Sequence, residues 1–184
     1  IVCKLYLERA VPAQEAERAR AVSEPVLRHL AFKWPVLGGA GVVTRYLWHP
    51  SLSAPEVEAR LAQIYQGAQA QASLAIATEV LRLAAGKAPP ERLEYLEVDE
   101  HDNPRRSFDL NVYNAELQVR DLQPLLHRMR ERFDIRPGQF QALYDQIKGR
   151  ALGHVAGGMH RNAREFFNVY YGVAGFPKFA ERFD

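Results

Sequence analysis

The sequence predicts an α+β protein, an antiparallel sheet or barrel with helices packed on its outer face. Three observations carry that reading. Residues 107–113 alternate strictly, with Phe108, Leu110 and Val112 on one side and Ser107, Asp109, Asn111 and Tyr113 on the other, which is the period of a half-buried strand. Leu122, Leu125, Leu126, Met129 and Phe133 recur at i, i+3, i+4, i+7 and i+11, a helical stripe. Finally, helical segments alternate with antiparallel strand pairs and not with single parallel strands, which favours α+β over a doubly wound sheet.

Residues 1–9 alternate and read as a strand, with Lys4 and Tyr6 on one face and Cys3, Leu5 and Leu7 on the other. Residues 12–30 are rich in Ala, Glu and Arg, strong helix formers. Pro12 suits a first turn, and Pro25 should kink or divide the helix. The run Gly38-Gly-Ala-Gly41 reads as a turn into a strand over residues 42–48, since no Gly-Lys-Ser/Thr follows to make it a phosphate loop. In that strand Thr44, Tyr46 and Trp48 oppose Val43, Arg45 and Leu47.

Ser53-Ala-Pro-Glu56 opens the next helix with a capping box. The helix runs to about residue 85, with a break expected near Gly67 or Ser73. Residues 92–98 and 106–114 form a hairpin around a polar loop containing His101. Two helices follow, the second opened by Pro137 with Phe140, Leu143, Tyr144 and Ile147 as its stripe. The last pair of strands covers residues 151–159 and 166–171, turning at 161–164 or at Gly157-Gly158. Residues 175–184 read as a tail packed through Phe176 and Phe179.

Composition narrows the function classes. The 184 residues suit a single α+β domain, and a first residue other than Met fits part of a longer chain. A net charge of +2 with basic residues in short scattered groups gives no reason to expect nucleic acid. No apolar run reaches the length of a membrane span, so no membrane partner is expected. Cys3 is the only cysteine, which fits a reducing cytoplasm and leaves neither a disulfide framework nor a thiolate cluster. There is no Gly-x-Ser-x-Gly elbow, Walker loop, dinucleotide fingerprint or His-Glu-x-x-His. His154 and His160 lie about 20 Å apart along an extended strand, too far to share an ion.

What remains is the set of polar side chains at mid-strand: Lys4 and Tyr6, Arg45 or Tyr46, Asp109, Asn111 and Tyr113, His154, Asn168 and Tyr170. If the sheet curls with its helices outside, these point into a shared lumen. Cations there suit a diphosphate, and phenol rings suit an apolar tail and a developing carbocation. A sheet simply exposed to water would show the same pattern.

The stretches Ser107-Phe-Asp-Leu-Asn-Val-Tyr-Asn-Ala-Glu-Leu117 and Leu152-Gly-His-Val-Ala-Gly-Gly-Met-His-Arg-Asn-Ala-Arg-Glu-Phe-Phe-Asn-Val-Tyr-Tyr-Gly-Val173 resemble the last hairpins of the cyanobactin peptide prenyltransferases, members of the ABBA group. The resemblance covers roughly residues 92–173. It implies a PT barrel of about ten strands, more than this chain offers, so that the chain would be an incomplete part of a longer one. It further implies transfer of a dimethylallyl or geranyl group from an isoprenyl diphosphate, with Mg2+, to a ribosomally made peptide acceptor. Under it, Lys4 and Arg45 become diphosphate contacts and Tyr113 and Tyr170 shield residues. Asn111 and Asn168 become polar lumen groups. The family's usual acidic base is N-terminal and has no counterpart in this chain; from the strand faces themselves, Tyr6 and His154 are candidate substrate contacts and Asp109 the candidate catalytic base. The competing expectation is a non-enzymatic α+β module that binds a peptide or partner chain through open sheet edges.

Overall fold

The computed structural model describes residues 1–66, 70–100, 106–160, 162 and 164–172. Its elements in order are β1 (Val2–Glu8), α1 (Ala13–Val22), β2 (Val26–Pro35), β3 (Val42–Trp48), α2 (Ala54–Ile64), α3 (Gln71–Ala85), β4 (Glu94–Glu100), β5 (Arg106–Asn111), α4 (Gln123–Arg132), α5 (Pro137–Ile147), β6 (Leu152–Met159) and β7 (Glu165–Tyr171). The seven strands form one sheet in the order of the chain, each antiparallel to the next. This is the α+β antiparallel sheet with packed helices that the alternation predicts, and the sheet is curled.

The curl is visible across the polar face. Glu8 on β1 lies near enough to perturb the phenol of Tyr113, which follows β5. In a flat sheet the four strand spacings from β1 to β5 would hold them about 19 Å apart. A groove at one end of the sheet likewise has Val2 of β1 and Glu165 of β7 on its rim. The two edges therefore turn toward each other, and the polar face is the concave one.

The convex face of β4–β7 carries the core. Phe108 is completely buried between Tyr65 and Phe167, edge-on to both at 6.4 and 6.2 Å. Leu110, Val112 and Val155 lie beside it under α2, α3 and α4. Gly157 stands opposite Phe108 because a side chain there would strike the Tyr65 hydroxyl at 2.7 Å. Gly158, with φ +140°, passes so close to β5 that a Cβ would run into the Arg106 carbonyl and Ser107. Both glycines lie inside β6, whose pairing with β7 runs on to Met159 opposite Glu165, so the hairpin does not turn at Gly157-Gly158. The Ser53 cap forms as the sequence predicts, its backbone N–H and hydroxyl donating to Glu56 Oε2 at 2.8 and 2.6 Å.

Several expectations are corrected. The helix expected over 12–30 ends at Val22, and residues 26–35 form β2, a strand the sequence reading missed. A bulge between Leu27 and His29 interrupts its alternation and hides the period of two. The long helix divides into α2 and α3, with Gly67 of the expected break outside the described residues. Leu143 of the α5 stripe is half-exposed while Tyr144 is buried. The 175–184 tail and His101 of the β4–β5 loop also lie outside the described residues. No helix among the described residues is long and apolar enough to cross a membrane.

Candidate functional site

In an antiparallel sheet, directly paired residues share a face and alternate residues lie on opposite faces. Following the register across the sheet gives the membership of the concave face. Lys4 pairs with Lys33, and Tyr6 with Ala31, which pairs with Thr44 and so with Glu100. Further along, Tyr46 pairs with Val98, which pairs with Ser107. Asp109 faces Ala156 and then Asn168, and Asn111 faces His154 and then Tyr170. Of the residues singled out in the sequence, Lys4, Tyr6, Asp109, Asn111, His154, Asn168 and Tyr170 thus lie on one side of one curled sheet.

Two of them do not sit as expected. Arg45 pairs with Leu30 and Asp99 on the convex face and is ion-paired to the Asp99 carboxylate, half-exposed. Its neighbour Tyr46 takes the concave position, as strand alternation requires. Tyr113 is not on a strand, because β5 ends at Asn111 and Tyr113 opens a 3₁₀ turn, Tyr113–Ala115. The Asn111 side-chain oxygen accepts from the Tyr113 N–H at 3.3 Å and steers the chain out of the sheet. The phenol still returns to the concave side, edge-on to His154 at 6.0 Å. It lies against Gly153, where a Cβ would come within 2.8 Å of the ring.

The face has two walls. On β1–β3, Lys4 Nζ sits 4.1 Å from the Tyr6 ring centroid, a cation–π distance. The Tyr6 and Tyr46 hydroxyls are 3.5 Å apart, and His29 stands edge-on to Tyr46 at 5.9 Å. Deeper in, Lys33 Nζ is 3.0 Å from Glu100 Oε1, which also accepts from the Thr44 hydroxyl at 3.2 Å. Glu100 is only 3% exposed and Lys33 24%, so the buried carboxylate is satisfied by a part-buried cation. Contrary to the expectation of helices on the outer face alone, α1 packs on the concave side, with Ala16 and Ala19 on Val26, Trp48 and Leu96.

The opposite wall, on β5–β7, is aromatic and acidic. His154 and Tyr170 are in edge contact at 4.0 Å. Burial pushes the Asp109 carboxyl up to about 7, with the Glu94 charge adding to the effect. Its Oδ1 is buried and has no hydrogen-bond partner among the described residues, and the closest His154 nitrogen stands 3.8 Å away. Burial also pushes His154 down to about 4, so its imidazole is neutral at physiological pH. The Tyr113 and Tyr170 phenols are both raised, first by burial and then by the Asp109 charge. At neutral pH this wall holds a proton-exchanging carboxyl, a neutral imidazole and two phenols.

A groove of about 870 Å³ opens at the other end of the sheet, with Lys33, Trp34, Val42, Glu100 and Arg164 on its walls. Asp109, His154 and Tyr170 do not line it. Among the described residues no three His, Cys, Asp or Glu side chains are grouped to hold a metal ion. His154 lies near the start of β6 and His160 follows its last residue, Met159, so the strand separates them.

The sequence reading missed His29, Lys33, Glu94 and Glu100 as neighbours of this face. Lys33 and His29 were hidden with β2 itself. Glu94 and Glu100 could have been found from the alternation of residues 94–100. Among known proteins, no family model, no curated sequence and no solved structure matches the chain.

Proposed function

We propose that the concave face binds an isoprenyl diphosphate and a peptide acceptor, and that the protein is a peptide prenyltransferase of the ABBA type. The observation that carries this reading is the convergence, on one curled face, of a cationic and aromatic wall (Lys4, Tyr6, Tyr46) and an aromatic wall bearing a proton-accepting carboxyl (Asp109, Tyr113, His154, Tyr170). The resemblance of the 107–117 and 152–173 stretches to the cyanobactin peptide prenyltransferases points the same way. An open sheet of seven strands is fewer than the barrel of about ten that the resemblance implies.

In this reading Lys4 holds the diphosphate. The bond between the isoprenyl C1 and the diphosphate oxygen breaks, and its electron pair leaves with the diphosphate. The phenol faces of Tyr6, Tyr46, Tyr113 and Tyr170 stabilise the allylic cation. A lone pair of the acceptor forms the new bond to C1, and the proton released there passes to Asp109. A carboxyl that exchanges its proton near pH 7 is matched to that task. Neutral His154 packs the Tyr170 ring in place without adding a charge that would repel the cation. Mg2+ fits this scheme as a companion of the diphosphate, whose oxygens are its ordinary ligands, since the described side chains supply no carboxylate cage. The test is incubation with dimethylallyl or geranyl diphosphate, Mg2+ and a panel of peptides, read by mass spectrometry. Transfer lost in Asp109→Asn is expected, and no transfer to any peptide contradicts the reading.

A second reading has its own observation. Among the described residues no helix covers the convex face of β1–β3, where Leu5 and Leu7 are each 49% exposed and Trp34 41%. Edge strand β1 beside such a surface suits a partner chain adding a strand. That non-enzymatic reading predicts no response to isoprenyl diphosphates at all.

A further inference from the structure

Among the described helices α1 alone lies on the concave side. It joins β1 to β2, an antiparallel pair that a short turn could have connected. Its seat is Val26, Trp48 and Leu96, with Tyr46 beside them. Trp48 pairs with Leu96, and Leu96 with Asp109, so the seat ends one strand spacing, about 4.8 Å, from Asp109. A helix is about 10 Å across with its side chains. The α1 helix therefore fills the middle of the face, between the Lys4–Tyr6 wall and Asp109, and a ligand that touches both walls needs the space it fills. The seat is an apolar floor between polar rows, with His29 and Ser107 in the row to one side and Glu94 and Asn111 in the row to the other.

The helix is held lightly. Of its residues only Ala16 and Ala19 are buried, and each presents a single methyl to the sheet. Pro12 offers no side-chain cap at its start, and at its end Ser23 takes a left-handed φ of 54°, a position that favours glycine. The Arg9–Glu15 ion pair, 2.9 Å, is exposed to solvent, and such pairs hold little. Arg20 lies 5.7 Å over the Trp48 ring. Beneath the helix Trp48 is 8% exposed, and its indole N–H is buried with no acceptor among the described residues. A buried donor without a partner penalises this closed arrangement.

We propose that α1 is a plug that swings away from Trp48 and Leu96 on residues 9–12 and 23–25, opening the floor of the concave face to the apolar part of the ligand. The proposal rests on the reading that a ligand spans the concave face between Lys4 and Asp109, and it supplies the gate of that site. Helix and ligand compete for one surface, so the measured affinity is the intrinsic affinity reduced by the open fraction. In the open state the Trp48 N–H gains water or a ligand oxygen as its acceptor. Changes in α1 then act in the direction opposite to that of a helix that merely supports the fold: loosening α1 strengthens binding, and tightening it weakens binding.

The test uses the Trp34→Phe protein, in which Trp48 is the one tryptophan left. Ala19→Glu sets a carboxylate against Val26, Trp48 and Leu96 and drives α1 off its seat. Ser23→Gly relieves the left-handed cap and holds α1 on. Without any ligand, acrylamide quenching of Trp48 should rise about twofold or more in Ala19→Glu and fall in Ser23→Gly. The affinity for a non-hydrolysable dimethylallyl diphosphate analogue with Mg2+ should rise about threefold or more in Ala19→Glu and fall about threefold in Ser23→Gly. Anilinonaphthalene sulfonate, an apolar anion that undergoes no transfer chemistry, should follow the same order. Analogue binding that is unchanged or weaker in Ala19→Glu, or unchanged in Ser23→Gly, overturns the gate and leaves the transferase reading standing. No analogue binding, with the sulfonate following the predicted order, supports the gate and removes the transferase reading. Neither probe following that order overturns the gate. Ser23→Gly leaves every side chain of the sheet in place, so its result decides the matter if Ala19→Glu fails to fold.

Discussion

Replacing Asp109 by Asn should stabilise the protein, and by an amount that grows with pH. In the folded chain the carboxyl keeps its proton up to about 7, against an ordinary value of 3.8. Below that ordinary value both states are protonated and the group costs nothing. Between the two values the unfolded chain releases the proton and the folded chain does not, so stability falls as pH rises. Above the folded value the loss is complete. Roughly three powers of ten in proton affinity at about 1.4 kcal/mol each give a ceiling of about 4 kcal/mol, treated as an order of magnitude. Asparagine has nearly the same shape and no proton to lose. Urea unfolding of the wild type and Asp109→Asn at about pH 5 and about pH 8 should show the advantage of the variant growing by about 2–3 kcal/mol. For a chain of this length that is a Tm difference of about 4–12 °C. An advantage of the same size at both pH values would refute the reasoning, because it would mean that the carboxyl titrates alike in the folded and unfolded chain.

Other expectations follow from the same geometry. His154 carries the opposite sign: its folded value of about 4 lies below the ordinary 6.5, so it destabilises the fold as pH drops through that window. His154→Gln should therefore gain stability relative to wild type at about pH 4.5 but not at about pH 7.5, by denaturant unfolding. Phe108→Ala empties the completely buried centre between Tyr65 and Phe167 and should cost about 3–5 kcal/mol of unfolding free energy. Glu56→Ala removes the acceptor for the Ser53 N–H and hydroxyl at the start of α2 and should cost about 1 kcal/mol in the same assay. Gly153→Ala drives a methyl into the Tyr113 ring and should shift the NMR signals of Tyr113 and His154 while the protein stays folded.

Legibility in the sequence followed periodicity. The Leu122–Phe133 stripe, the Ser53 cap and Pro137 each carry their signal within about one turn and stand as read, while the alternating 107–113 run holds as a strand only to Asn111. Strand β2 was lost because Ala-Glu-Arg composition continues up to Glu24 and a bulge then breaks the alternation between Leu27 and His29. The face of Arg45 could not be settled from its own strand, since alternation names two faces but not which is concave. Only pairing to Asp99 and Leu30 fixes that. Tyr113 lies within the alternating pattern yet leaves the sheet, because the Asn111 side chain bonds the backbone two residues on. The burial of Asp109 depends on strands and loops far from it in sequence, and no local pattern encodes it.

The central claim is that the concave face binds an isoprenyl diphosphate through its own cations. The most direct measurement is a thermal-shift titration with a non-hydrolysable dimethylallyl diphosphate analogue and Mg2+, on wild type, Lys4→Ala and Arg45→Ala. At about 100 times Kd, binding should add about 2.7 kcal/mol of stability to the wild type. The account predicts that Lys4→Ala abolishes the shift and that Arg45→Ala, on the convex face with Asp99, retains it. No shift in the wild type with dimethylallyl, geranyl or farnesyl analogues, or a shift lost in Arg45→Ala and kept in Lys4→Ala, would contradict it.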